Sequence, residues 1–301
     1  MRTISLKIDV DTLRGTQEGV PRLAALLKRL GIPATFLFSV GPDNTGRALR
    51  RVFRRGFLSK VRRTSVVSNY GIKTLLYGTL LPGPRIDRRC RAGMREVMEQ
   101  GFDVGVHTFD HVKWQDGVAG ASVGWTREQL RLACQAFCGI FGCAPRQHGA
   151  AGWQMNATVP ALEAEFGFRF ASDTRGRAPF MPTGGGIPQL PTTLPTLDEL
   201  LGEIGGGPGG AIERIVELTA DEPQSGHVFT LHAELEGGAY LAEFESLLWR
   251  WREQGYAFLS MSALFDSIDT ATLPRCDIVA GPVPGRAGDL ALQARLSAGG
   301  S

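Results

Sequence analysis

Near the amino terminus Leu6, Ile8 and Val10 alternate with Lys7, Asp9 and Asp11. That period of two predicts a β-strand carrying both aspartates on one face. Val20, Leu23, Leu26, Leu27 and Leu30 then fall at helical spacing and stop at Gly31, and Ala34 to Val40 reads as a second strand, completing a β-α-β unit. The pattern continues with a helix near Arg88 to Gln100 and a strand from Phe102 to His107. Further helices are expected at Thr126 to Phe141, Ala157 to Phe166 and Leu241 to Gln254, with strands near Ala144, Phe168 to Ser172, Val228 to His232 and Ala257 to Ser260. Seven or eight strands separated by helices predict an α/β protein with a mostly parallel sheet. The count favours closure into a barrel over an open doubly wound sheet. The first strand-to-helix turn lacks Gly-x-Gly-x-x-Gly, so a dinucleotide site has no support. Gly184 to Gly186 and Gly205 to Gly210 read as loops. Residues 1–268 are expected to form the barrel, and 269–301, poor in large apolar residues, a disordered tail.

The polar residues that interrupt these strands sit at their carboxyl ends: Asp9 and Asp11, His107 followed by His111, Asp173, and His232. In a parallel barrel those ends surround one mouth. Singly, each has an ordinary explanation, since such aspartates commonly cap turns and lone histidines are commonly structural. Their joint placement is what points to a site. His107-Thr-Phe-Asp-His111 offers two imidazoles four residues apart, able to face one divalent metal, without the glutamate base of His-Glu-x-x-His. A carboxylate from Asp9 or Asp11 would complete a two-histidine, one-carboxylate set and leave the other aspartate as base for an attacking water. His232 can titrate in the range a proton donor to a departing amine needs.

The chain has 301 residues, 43% hydrophobic and 21% charged, as a soluble globular protein does, and has no apolar run of membrane-spanning length. MRTISLKIDVDT leaves no room for a secretory core, which favours a cytoplasmic protein. Five cysteines fit reduced thiols better than a disulfide framework, and Cys134, Cys138 and Cys143 read as helix filler rather than a metal site. The net charge of +3 conceals an asymmetry. Ten basic residues and no acidic one lie between Asp43 and Asp87, leaving 23 basic against 30 acidic residues elsewhere.

Taken together, Asp9-Val10-Asp11, His107-Thr-Phe-Asp-His111 and Leu231-His232 resemble the polysaccharide deacetylase (NodB-homology) family of metal-dependent carbohydrate deacylases. The resemblance implies a distorted β/α barrel, with Asp9 as catalytic base, Asp11, His107 and His111 as metal ligands, and His232 as general acid. One divalent ion is implied, with zinc, cobalt, manganese and nickel all compatible with these ligands. The family's base-positioning arginine is missing from Gly149-Ala150-Ala151-Gly152-Trp153, for which Arg175 is the expected substitute. Asp173 matches the aspartate that tunes the acid histidine. Stretches such as FSVGPDNTGR, SDTRGRAPFMP and LPTTLPTLDE are similar to the branch that deformylates 4-deoxy-4-formamido-L-arabinose-phosphoundecaprenol. That branch implies a lipid-linked formamido sugar as partner at the cytoplasmic face of the bacterial inner membrane, and a part in lipid A modification and polymyxin resistance.

A lipid-linked substrate gives the basic insert a purpose. Arg47, Arg50, Arg51, Arg54 and Arg55 share one side of a helix whose other side carries Leu49, Val52 and Phe53. Such a cationic amphipathic helix suits an anionic membrane surface or the substrate phosphate, with a solvated helix packed on the barrel as the plainer reading. A nucleic-acid module is absent. An N-deacylase of the same family acting on a different amino sugar is the nearest alternative, and two rival readings come from other classes. An aspartyl-phosphate phosphatase would explain Asp9-Val10-Asp11-Thr12 but not the three histidines, and an inactive sugar-lipid binder would release no formate.

Overall fold

The computed structural model describes residues 2–48, 74, 76–203, 207–221 and 226–294. Its central strand β1 (Thr3–Val10) is buried along nearly its whole length. Ile4, Leu6, Ile8 and Val10 join the main hydrophobic core, while Ser5, Lys7 and Asp9 are equally buried on the opposite face. Strand side chains alternate faces, so β1 gives one side to the apolar core and lines a polar interior with the other.

Around β1 stand β2 (Thr35–Ser39), β3 (Asp103–Thr108), β4 (Gln147–His148) and β5 (Phe170–Ala171) on one flank, and β7 (His227–His232) on the other. The short β6 (Met181–Pro182) lies outside this sheet, and β8 (Ala257–Leu259) pairs with Thr3–Ser5. The seven strands run in the order β5-β4-β3-β2-β1-β7 with β8 alongside, and each pairing is parallel. A strap over residues 188–193 links the two edges. Leu190 N–H donates to Ala171 O at 2.8 Å, and Thr193 N–H to Val228 O at 3.0 Å. The result is the distorted barrel the strand count predicts, its gap closed by irregular chain.

Helices cover the outer face. In α1 (Val20–Leu30) the expected stripe is buried, and Gly31 at φ 63° ends the helix by donating to the Leu27 and Lys28 carbonyls. α2 (Arg91–Glu99), α3 (His111–Gly117), α4 (Val123–Phe141) and α5 (Val159–Glu165) follow, then α6 (Leu197–Glu203), α7 (Gly207–Leu218), α8 (Leu241–Glu253) and α9 (Met261–Asp266). None of the helices among the described residues is long and apolar enough to cross a bilayer.

Two expectations need correcting. The glycine-rich stretch read as a loop becomes helical from Gly207, because Ala211, Ile212, Ile215 and Val216 behind it form a buried stripe. Residues 269–294, expected to be disordered, are folded. β9 (Arg275–Cys276) pairs with β6, and β10 (Ile278–Pro282) forms an antiparallel hairpin with β11 (Asp289–Gln293). Few large apolar side chains suffice because the backbone is held instead. Arg175 N–H donates to Ala291 O at 2.9 Å and Gln293 N–H to Arg175 O at 2.8 Å. Residues 295–301 lie outside the described residues, as do Arg50, Arg51, Arg54 and Arg55 of the basic insert.

Candidate active site

Parallel pairing sets the site. The β1–β7 register places Asp9 directly opposite His232. On β3 the pairing jumps from Phe38↔Val106 to Ser39↔Thr108, so His107 is an inserted residue. A bulge of this kind re-aims its side chain. Asp110 then caps α3 by accepting from Lys113 N–H at 3.0 Å, and is held by Asn44 Nδ2 at 2.7 Å. His111 thereby becomes the first residue of the helix, on the same rim.

The Asp11 Oδ1 atom lies 3.2 Å from His107 Nε2 and 3.4 Å from His111 Nε2. It is buried and has no hydrogen-bond partner, as is also true of Asp9 Oδ1 and His107 Nδ1. Four ligands at about 2.0–2.1 Å around one ion are separated by about 3.3 Å. An unpartnered carboxylate oxygen at these spacings from two imidazole nitrogens therefore fits a shared cation better than it fits either ring. His111 and His107 hold the Asp11 carboxyl below its usual range although burial pushes it upward, while burial holds the His111 imidazole low. Deprotonated carboxylate and neutral imidazole are the forms that bind metal.

Asp9 stands beside this trio, Oδ1 3.8 Å from His107 Nδ1 and Oδ2 3.5 Å from Lys7 Nζ. Lys7 is fully buried in the barrel interior, and its ammonium donates to Ser172 O at 3.0 Å. Behind Asp11, Glu234 Oε1 accepts from Asp11 N–H at 3.1 Å, Thr12 N–H at 2.8 Å and the Thr12 hydroxyl at 2.7 Å. Burial, with Asp11 nearby, pushes Glu234 up to about 8. Only glycine permits this approach at residue 15, where a Cβ would sit 1.9 Å from Glu234 Oε1.

His232, at the end of β7, has its backbone N–H held by Glu236 Oε2 at 2.9 Å. Its Nδ1 faces Asp198 Oδ1 at 3.7 Å. Burial lowers the imidazole's proton affinity, but Asp198 and then Asp11 outweigh it, leaving His232 above its ordinary value.

No family model matches the chain. A relative from Shewanella sediminis named "Probable 4-deoxy-4-formamido-L-arabinose-phosphoundecaprenol deformylase ArnD" is 36% identical over 293 residues, 97% of this chain and 95% of its own. The chain belongs to the ArnD deformylase family. A Wigglesworthia glossinidia brevipalpis relative of the same name is 31% identical over 291 residues, 94% of this chain and 99% of its own. Among solved structures, a Mycobacterium smegmatis protein described as "putative polysaccharide deacetylase" superposes with TM-score 0.64 at 18% identity, covering 94% of this chain and 96% of its own. A family 4 acetyl xylan esterase from Clostridium thermocellum, solved with cobalt, gives 0.52 at 12%, covering 91% and 97%. These likenesses show that the fold is the polysaccharide deacetylase barrel.

Within this ArnD-family chain, Asp9, Asp11, His107, His111 and His232 meet at the rim, and two other expected residues do not take their expected places. Asp173 is paired with His148, not His232. β5 neighbours β4 and lies at the opposite end of the sheet order from β7, so Asp173 Oδ1 is 3.2 Å from His148 Nδ1 and accepts from Ala150 N–H at 2.6 Å. The carboxylate facing His232 is Asp198. Arg175 is likewise occupied, by Glu199 Oε1 at 2.6 Å and Leu194 O at 2.9 Å, and the cation beside Asp9 is Lys7. Lys7 was legible in principle, since it shares the odd-numbered face of β1 with Asp9. Asp198, in the first turn of α6, falls inside the LPTTLPTLDE stretch, but nothing in that stretch singles it out as the partner of His232. Arg47 is exposed and bonded to Gly78 O at 2.6 Å, and the three clustered cysteines form no metal-binding group among the described residues.

Proposed function

We propose that this chain hydrolyses the formamide of 4-deoxy-4-formamido-L-arabinose-phosphoundecaprenol, releasing formate and the free-amine lipid-linked sugar used in lipid A modification. The observation that carries the reading is Asp11 Oδ1 at 3.2 and 3.4 Å from two imidazole nitrogens, with the unpartnered Oδ1 of Asp9 beside it. Asp11, His107 and His111 would hold one divalent ion, of which zinc, cobalt, manganese and nickel suit the donor set, and it would supply Lewis acidity toward the formyl oxygen and the attacking water.

The remaining chemistry belongs to the protein's own groups. Asp9, held by Lys7, accepts the proton that water loses as its oxygen bonds to the formyl carbon. The carbon–nitrogen bond then breaks, and the protonated His232 imidazole, aligned by Asp198, gives its proton to the sugar nitrogen. Formamide and water become formate and amine. Mass spectrometry of the lipid-linked formamido sugar after incubation with metal-loaded protein should show loss of one CO, abolished by chelation. An unchanged substrate would reject the reading.

The substrate's polyprenyl tail stays in the bilayer, because each buried CH2 is worth about 0.8 kcal/mol. The run of ten basic residues between Asp43 and Asp87 supports attachment to the anionic face of the inner membrane. Replacing Arg47, Arg50, Arg51, Arg54 and Arg55 by glutamine should reduce cosedimentation with phosphatidylglycerol vesicles at low salt, with the difference vanishing at high salt. Equal cosedimentation at low salt would assign the charge to another role.

A further inference from the structure

The β10–β11 hairpin reaches the acid side of the site through Arg286, in the turn between its strands. Its Nη1 lies 3.1 Å from Asp198 Oδ2 and its Nη2 3.2 Å from Asp198 Oδ1, so the guanidinium fork takes both oxygens of the carboxylate that faces His232. The same guanidinium donates to Glu199 Oε1 at 2.8 Å and to the Thr196 hydroxyl at 3.0 Å, which itself donates to Asp198 Oδ1 at 2.6 Å. It also lies over the Trp153 ring, 4.9 Å from the centroid, with Arg175 at 5.0 Å and Lys7 at 5.3 Å. The turn is built to sit there. Gly285 has φ 77°, and a Cβ on it would stand 2.8 Å from the Glu199 Cα.

Asp198 is partly exposed, and no strand or mid-helix position fixes its side chain. The Thr196 hydroxyl holds one of its oxygens, and what holds both is the bidentate contact, a geometry that guanidinium supplies and ammonium does not. We infer that the carboxyl-terminal hairpin is part of the catalytic apparatus, with Arg286 the positioning residue that holds Asp198 in the orientation in which it aligns His232 for proton delivery to the leaving nitrogen. This rests on the deformylase reading above.

Two soluble probes separate proton delivery from the rest of the reaction: a 4-formamido-4-deoxypentoside, whose amine leaves only when protonated, and 4-nitrophenyl formate, whose phenolate leaves without a proton. In metal-loaded Arg286→Gln the ratio of formamide to ester turnover should fall about tenfold, as expected for a misplaced catalytic group. Arg286→Lys should recover part of that ratio. Asp198→Asn alone should give the same fall, and the double variant no further one, because the two side chains act as one unit. Equal losses on both probes with metal content and melting temperature retained, or multiplying losses in the double variant, would overturn the inference. If Arg286→Gln does not fold, an unchanged ratio in Arg286→Lys overturns it and a lowered ratio supports it. Wild-type protein inactive on the formamide would instead reject the deformylase reading itself.

Discussion

Among the described residues two clusters of three histidine and carboxylate side chains lie close enough to share an ion, and the one at the rim is built like a reaction centre. At the rim, Asp11, His107 and His111 bring three donors together with unpartnered atoms among them, and Asp11 and His111 keep some exposure. Under β4 and β5, His148, Glu163 and Asp173 form a second trio with the same residue types, wholly buried. Here the atoms that converge are spent on each other, although His148 Nε2 and Glu163 Oε2 have no partner. His148 Nδ1 is 2.6 Å from Glu163 Oε1 and 3.2 Å from Asp173 Oδ1, and Asp173 also takes the Ala150 N–H and Gln189 Nε2. Burial opposes the charge on His148, yet the two carboxyl groups raise it to about 10, while Asp173 drops to about 2 and burial pushes Glu163 well above its ordinary value. Ligand types therefore do not define a metal centre. What distinguishes the rim is that its polar atoms converge without satisfying one another, leaving work for an external ion and water.

The largest expected effect breaks the rim. His111→Ala removes one of three proposed ligands, and we expect bound metal to be lost with activity down by at least about a thousandfold. Asp9→Asn should retain metal, measured by elemental analysis, while slowing turnover by about a hundred- to ten-thousandfold, since it removes a proton acceptor only. Metal loss in Asp9→Asn would merge two roles that the geometry keeps apart.

Next in size is the buried cluster, where the opposite pattern is expected. Asp173→Asn leaves a charged imidazole without its anion in a sealed interior, which costs about 3–5 kcal/mol when one partner of a buried pair is removed. Urea unfolding near pH 6 should show that loss, with metal content unchanged in the folded fraction. The pH matters through linkage. Asp173 is depressed in the folded protein, so its contribution is complete above the ordinary carboxylate range and fades as pH falls through about 2. His148 is raised, so its contribution is complete below about 6.5 and fades as pH rises through about 10. A metal-depleted but fully stable Asp173→Asn would reverse the assignment of the two clusters.

The rim was the more legible of the two because its residues announce themselves locally. Asp9 and Asp11 break an alternating strand, and His107 and His111 have the four-residue spacing of adjacent ligands. Parallel strand order does the rest, since it carries the ends of β1, β3 and β7 to one mouth. The second cluster has no such sign. His148 stands in a strand of two residues, Glu163 in a helix after it, and Asp173 beyond the next strand, so only tertiary packing unites them. The same limit applies to Asp173 and Arg175, whose positions in the chain point to His232 and Asp9 while the fold pairs them with His148 and Glu199. A strand-end residue can be placed at the rim from its position in the chain, but its partner depends on which strand lies beside it. The hairpin at 278–293 was obscured for another reason: its order comes from backbone hydrogen bonds to the Arg175 segment, which composition does not record.

The smallest effect sharpens the contrast at His232, whose charge is set by the rim rather than sealed within a pair. Its proton affinity is raised by Asp198 first and Asp11 second, against burial, with Arg286 pulling the other way and Glu236 adding to the rise. A cation held by Asp11 would cancel that carboxylate's share, leaving Asp198 the main influence that raises the imidazole. An acid must be protonated to act, hence turnover should persist above the ordinary histidine value of about 6.5 and fall as pH rises through the raised one. In Asp198→Asn the optimum rate should drop about tenfold, and the alkaline limb of the pH–rate profile should move to lower pH. Limbs that coincide in wild type and variant would show that another group, not His232, supplies the proton.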